Sequence, residues 1–205
     1  YWIWVFAGEH SIVYVIRPSR SKRVVEEILG RDYAGVVVSD GYSAYAKYKY
    51  HQRCWAHIMR EAKNLLQDYP GSGLFYRMLK RMFAKICRIR VNPPPLHKRL
   101  LVKQDMERRM QALIDTLESH HSFRRFAVTL RNGLSAWFTC IEHLFVEPTN
   151  NTAERALREL IVQRKIIGGL RAEHGAKTMG IVNTMLATWR MQGTPIFQSL
   201  KNAIS

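Results

Sequence analysis

Two carboxylates stand out in a chain that has few of them. Asp40 closes the run Gly35-Val36-Val37-Val38-Ser39-Asp40-Gly41, and Glu154 lies within Pro148-Thr149-Asn150-Asn151-Thr152-Ala153-Glu154-Arg155-Ala156-Leu157-Arg158, otherwise rich in arginine and asparagine. Hard divalent cations want carboxylate oxygen, and phosphoryl transfer uses such ions to activate the attacking oxygen and stabilise the leaving one. Each acid also has a plainer reading. Asp40 before Gly41 can close a strand-end turn. Asn151 followed three residues later by Glu154 fits an asparagine variant of the capping box. The residue types leave both readings open for both acids, and only the fold could bring the two together.

Other residues have ligand-like chemistry at less telling spacings. Cys54-Trp55-Ala56-His57, with His51 nearby, offers sulfur and imidazole, but a tetrahedral zinc site needs four ligands and no second Cys/His pair follows at a suitable spacing. Arg164-Lys165 and Arg171-Ala172-Glu173-His174 flank Gly168-Gly169 in a basic, glycine-broken loop. Such a loop can approach a phosphate backbone closely, and a merely solvated loop fits as well. The whole chain is basic: 32 Lys and Arg against 16 Asp and Glu give a formal charge of +16. A folded domain of this charge most often meets a polyanion, nucleic acid first among them, with a solvated basic surface as the bland alternative.

Composition narrows the class further. At 205 residues with 47% hydrophobic residues, the chain can bury one core or one core with an insertion. Cys54, Cys87 and Cys140 are odd in number and widely spaced, which is no disulfide framework and suggests a reducing compartment. No apolar run approaches the ~20 residues of a membrane span. The chain opens directly on a strand-like run at Tyr1, so it is expected to be a piece of a longer protein.

The elements that must position these residues follow from periodicity. Tyr1–Ala7 and Ile12–Ile16, aromatic and β-branched, read as a hairpin. Ser21 can cap a helix through Val24, Val25, Ile28 and Leu29 that Gly30 stops. The valine run before Asp40 reads as a central strand buried on both faces, with Asp40 at its carboxyl end, where open sheets commonly place ligands. Tyr42–Tyr48 reads as a short helix and Lys49–Cys54 as a weakly signalled, polar strand. From Trp55 to Leu144 the pattern is helical: Ile58–Leu66, Leu74–Ile89, Leu96–Leu117 and Phe123–Leu144. Helices from Asn151, over Gly175–Met191 and after Pro195 close the chain. The order is that of a mixed α/β core interrupted by a helical block. Ala153, Ala156, Leu157, Leu160 and Ile161 share one apolar helix face, with Glu154 at its margin.

Three ordered motifs together resemble a known family. Ser39-Asp40-Gly41-Tyr42-Ser43-Ala44-Tyr45, then Cys54-Trp55-Ala56-His57 with Arg60, then Asn150-Asn151-Thr152-Ala153-Glu154-Arg155-Ala156-Leu157-Arg158 with Arg164-Lys165 resemble the DDE transposases of bacterial insertion sequences, in particular the insertion-sequence "sixty-six" family. The resemblance spans essentially the whole chain. It implies a ribonuclease-H-like fold, a mixed sheet with a large α-helical insertion before the final catalytic helix. Residues 1–57 would form the first part of that core, 58–147 the insertion and 148–205 the closing helices. It implies two Mg²⁺ ions held by two aspartates and a glutamate, with Asp40 the second acid and Glu154 the third, both catalytic and metal-binding. Cys54 and His57 fall on a Cys-x-x-His signature that supports the site or nearby DNA. Arg60, Asn151, Arg155, Arg158, Arg164 and Lys165 are the expected DNA-contacting or supporting residues.

The chemistry so implied is hydrolysis at transposon ends followed by attack of the freed 3′-hydroxyls on target DNA. The family's first aspartate lies on a strand ahead of Tyr1, so the metal site is incomplete within these residues and the fragment alone is expected to be inactive. Glu9, in the hairpin turn, is a poor substitute. DNA is the expected partner, membrane is not, and pairing two DNA ends is compatible with a homodimer. The implied setting is the bacterial cytoplasm, at the nucleoid. The alternative is a non-catalytic basic DNA-binding or assembly module of the same fold, in which Asp40 and Glu154 need not converge.

Overall fold

The structure, a computed structural model, describes residues 1–204. Ser205, the last residue of the expected closing segment 148–205, lies outside the described residues. In chain order the elements are β1 (Trp2–Ala7), β2 (Ile12–Arg17), α1 (Lys22–Leu29), β3 (Val37–Ser39), β4 (His51–Arg53), α2 (Trp55–Asp68), α3 (Gly73–Val91), α4 (Leu96–Glu118), α5 (Arg124–Arg131), α6 (Thr139–Glu142), α7 (Asn151–Ile166), α8 (Glu173–Met191) and α9 (Ile196–Ile204). The protein is thus mixed α/β, mostly helical, with two small ladders. It divides into two compact units, one of residues 1–28 with 151 onward, the other of residues 29–150.

In the first unit, β1 and β2 pair antiparallel from Trp2↔Arg17 to Ala7↔Ile12. Their alternation puts Ile3, Val5, Ile12, Tyr14 and Ile16 on one face, where they pack with Ala156, Leu160 and Ala176. An edge strand needs partners for its outward N–H and C=O groups. At β2 these come from α8. Thr184 Oγ1 accepts the Tyr14 N–H at 2.9 Å, and Thr188 Oγ1 accepts the Ile12 N–H at 3.2 Å and donates to the Ile12 carbonyl at 3.1 Å. One turn earlier Gly180 lies so close that a Cβ there would sit 3.1 Å from the Tyr14 carbonyl oxygen. Positions 180, 184 and 188 recur every four residues, so one helix face of small side chains runs along the strand. Helix α8 begins at Glu173, two residues before the expected Gly175.

In the second unit, β3 and β4 pair in parallel, Val37↔His51 to Ser39↔Arg53. The expected Tyr42–Tyr48 helix is one 3-10 turn at Ser43–Tyr45. The core is helical, with Leu79, Met82, Ile86 and Ile89 of α3 meeting Met106, Met110, Leu113, Ile114 and Leu117 of α4 around the fully buried Trp55, Trp137 and Phe138. Both runs recur at three- and four-residue spacing, as one buried helix stripe requires. The single helix expected over Phe123–Leu144 is instead α5, a 3-10 turn at Leu134–Ala136, and α6. The break has a packing cause. A Cβ at Gly133 would stand 2.7 Å from the Trp137 indole, so the glycine lets that ring fold back against the turn. There Trp137 donates its indole N–H to the Leu130 carbonyl at 2.8 Å, and its own carbonyl accepts the Trp55 indole N–H at 2.6 Å.

Candidate functional site

In the second unit Asp40, Arg53 and Cys54 stand at the carboxyl ends of the parallel strands, His51 opens β4 and His57 lies in the first turn of α2. Asp40 follows the last residue of β3 and is exposed. Its Oδ1 accepts the backbone N–H of Tyr42 at 3.0 Å, an Asx turn that fixes the carboxylate while Gly41, at φ +99°, reverses the chain. The strand-end turn read from the sequence is therefore present, and it leaves the carboxylate open to solvent. Beneath it Ser39 Oγ and His51 Nε2 lie 2.8 Å apart. Burial first, and then the Arg53 charge, push the His51 pKa down to about 4 against an opposing pull from Asp40. His51 is therefore neutral near pH 7.

Strand β4 is polar because its side chains are used inside. Gln52 is fully buried. Its Nε2 donates to the carbonyls of Arg53 at 2.7 Å and Trp137 at 3.1 Å, and its Oε1 accepts the Cys140 N–H at 2.8 Å. Arg53 is only 9% exposed. Its guanidinium lies 4.8 Å from the centre of the Trp137 ring and directly against Gly41, where even a methyl group would collide with it. Among the described residues no carboxylate forms an ion pair with Arg53, and its buried Nε has no hydrogen-bond partner. Such an unmet buried donor costs about 1–3 kcal/mol, more when charged. Burial lowers the Arg53 pKa, which the more distant Asp40 and Glu61 oppose. The sequence reading passed over Arg53. The signal was there in a polar triplet, His51-Gln52-Arg53, set between a valine strand and the apolar start of α2.

Cys54 sits at the N-cap of α2 and is buried. Its Sγ accepts the Asn150 N–H at 3.4 Å, and the Pro148 carbonyl accepts the Trp55 N–H at 2.9 Å. Burial alone would raise the Cys54 pKa, but hydrogen bonds from His57 and from the Asn150 backbone outweigh it and lower the pKa. The Cys-x-x-His pair thus anchors the loop that ends at Asn150, one residue before α7. Arg60, one turn further along α2, is exposed.

The first unit holds the remaining expected residues on α7. The helix begins at Asn151 itself, which places Glu154 in its first turn but one position beyond the N3 site that a capping box uses. Ala156 and Leu160 are buried and Glu154 is half-buried beside that stripe, as the wheel reading expected. A carboxylate in the first turn also complements the helix dipole. Asn151, Arg155, Arg158, Arg164 and Lys165 are exposed. Arg164 and Lys165 end α7 and, with Gly168, Gly169, Leu170, Tyr1 and Ile3, line a cleft of about 450 Å³. Gly168 and Gly169 take φ of +74° and +101°, which turn the chain out of the helix.

Asp40 and Glu154 offer hard oxygen donors, which suits a Mg²⁺-type cation better than the softer thiol and imidazole of Cys54 and His57. Among the described residues no helix is long and apolar enough to cross a membrane. Comparison with known proteins adds one finding: the family model described as Transposase IS66 family matches residues 1–178. No curated protein and no solved structure matches the chain.

Proposed function

The chain belongs to the Transposase IS66 family, and from that premise we propose that it is the catalytic region of a DNA transposase that cleaves phosphodiester bonds at transposon ends and joins the freed 3′-hydroxyls to target DNA. In this reading the fold is ribonuclease-H-like, with residues 1–57 and 148–205 forming the core and 58–147 the helical insertion. Asp40 and Glu154 would be the carboxylates that hold a divalent cation. The observation that carries the reading is Asp40 itself. It stands at the end of a strand, held by the Tyr42 N–H through one oxygen and exposed to solvent. A bound Mg²⁺ supplies Lewis-acid stabilisation of the phosphoryl oxygens and a more acidic water or hydroxyl nucleophile.

The chain's own residues do the rest. Asp40 and Glu154 orient the cation, and Cys54 with His57 holds the loop at Asn150. Arg155, Arg158, Arg164 and Lys165, with Arg60 and Asn151, carry the DNA backbone. Pairing two ends makes a homodimer the simplest assembly, acting at the nucleoid in the bacterial cytoplasm. These 205 residues hold two of the three acids that such a site uses, so strand cleavage by this chain alone is expected to be absent.

Cation binding tests the reading without relying on turnover. Mn²⁺ titration followed by electron paramagnetic resonance should show a site weakened at least tenfold by Asp40→Asn and equally by Glu154→Gln, each variant remaining folded by circular dichroism. If one substitution weakens Mn²⁺ binding and the other leaves it untouched, the two carboxylates do not share a cation. Robust Mg²⁺-dependent nicking of DNA by the 205-residue chain, abolished by Asp40→Ala, would overturn the expected inactivity.

A further inference from the structure

Beside Asp40, and built wholly within the second unit, is a cavity of about 130 Å³ whose lining includes Gly41, Tyr42, Lys49, Arg53, Asn132 and Ser135. At about 30 Å³ per water molecule it has room for roughly four, or for one phosphate group. Its lining is rich in donors: a guanidinium, an ammonium, two hydroxyl types and an amide, with no carboxylate among them. Arg53 enters it as a nine-tenths buried cation that no described carboxylate pairs and whose Nε no described group accepts.

We propose that this cavity is a phosphate-binding subsite in which Arg53 is the principal ligand, and that the phosphate it takes belongs to a nucleic-acid backbone. Three features of the construction support it. The guanidinium is pre-oriented. The centre of the Trp137 ring lies 4.8 Å from it, and that ring is held in turn by Gly133 and by the Leu130 carbonyl. Gly41 lies directly against it, with no Cβ to obstruct it. An arginine so fixed loses little freedom when its planar fork takes two oxygens of a tetrahedral phosphate. The second feature is the unmet donor, which an accepting oxygen would satisfy. The third is position. Gly41 belongs both to the cavity and to the turn that holds Asp40, so a phosphate seated there lies next to the proposed cation ligand along one nucleic-acid strand. Lys49, also in the lining, adds a second positive charge that offsets Asp40.

The proposal rests on the transposase reading only for the phosphate's owner. Its test is run in EDTA, so that failure of the cation site cannot mimic failure of this one. The full 205-residue chain, labelled at arginine Nε, is titrated separately with inorganic phosphate and with dimethyl phosphate, whose single charge matches a backbone diester. Both should saturate in the millimolar range and shift one buried Nε–H resonance, lost in Arg53→Met, a substitution that keeps an unbranched stem over Trp137. Affinity for a short DNA duplex should fall about tenfold in that variant, the loss of one charge-assisted contact, and its log–log salt slope should shrink by about one. Ser135→Glu places a carboxylate in the cavity from an exposed position and should block both small anions with Arg53 intact, which keeps the test decisive if Arg53→Met unfolds. A wild-type chain that binds neither anion overturns the subsite. Binding of inorganic phosphate alone, with dimethyl phosphate and DNA affinity unaffected by either variant, overturns the nucleic-acid assignment.

Discussion

His51 stays neutral where an exposed histidine would begin to charge. Its pKa lies at about 4, through burial and the neighbouring Arg53 charge, while an unfolded chain restores a value near the ordinary 6.5. Between those values the unfolded state binds more protons, so folding stability must fall as pH drops from about 6.5 towards about 4. The effect is bounded at about 3 kcal/mol, at about 1.36 kcal/mol per pKa unit. His51→Gln keeps a polar partner for Ser39 and removes the titration. Thermal unfolding at pH 7 and pH 4.5 should therefore show a smaller acid-induced drop in Tm for this variant than for the wild type. Equal drops would mean that His51 is not the responsible group. At this scale the sequence was legible where local placement follows residue order, as in the strand-end turn at Asp40 and the first helical turn that carries Glu154. It was illegible at Arg53. That side chain's meaning depends on Trp137, 84 positions away, which sequence periodicity cannot bring to it.

Among the elements, the union of α8 with β2 is the most testable. The hydroxyls of Thr184 and Thr188 take the outward backbone groups of Tyr14 and Ile12, a role that no hydrophobic pattern reveals, because threonine on a helix reads as neutral. Thr184→Val preserves shape and strands the Tyr14 N–H against a methyl group, which costs about 1–3 kcal/mol. Hydrogen exchange at the Tyr14 amide should accelerate in that variant, and in Thr184→Val with Thr188→Val the Ile12 amide should follow. Gly180→Leu should be worse than either, since even a Cβ there meets the Tyr14 carbonyl at 3.1 Å. If Gly180→Leu leaves Tm unchanged, α8 does not lie along the strand as described. The hairpin and the long helices were readable because their periods are regular. The Phe123–Leu144 stretch was not, because the helix ends to seat Trp137 against Gly133, a tertiary demand that overrides local propensity. Strand β4 was faint for a related reason: Gln52 is polar yet fully buried, with its hydrogen bonds met by groups distant in sequence.

At the scale of the whole molecule, the charge bears on how the proposed DNA partner would be held. A formal charge of +16 produces attraction for any polyanion, and the exposed Arg155, Arg158, Arg164 and Lys165 of α7 are the proposed specific contacts within that general field. The two contributions separate by salt. Each phosphate neutralised on duplex DNA adds about 0.9 to the slope of log affinity against log salt, whereas a diffuse field only steers the encounter and is screened beyond roughly 8–10 Å. Replacing all four by glutamine leaves a charge of +12, still strongly basic, and should cost little stability because all four side chains are exposed. If they touch the backbone, the slope should fall by roughly three to four, and affinity at physiological salt should fall far more than the lost quarter of net charge would suggest. A slope unchanged within one would assign binding to the general field and remove these four residues from the contact surface. The Arg53 subsite acts on the same readout but contributes about one to the slope. The quadruple variant combined with Arg53→Met should therefore lose roughly the sum, provided that α7 and the cavity contact different phosphates.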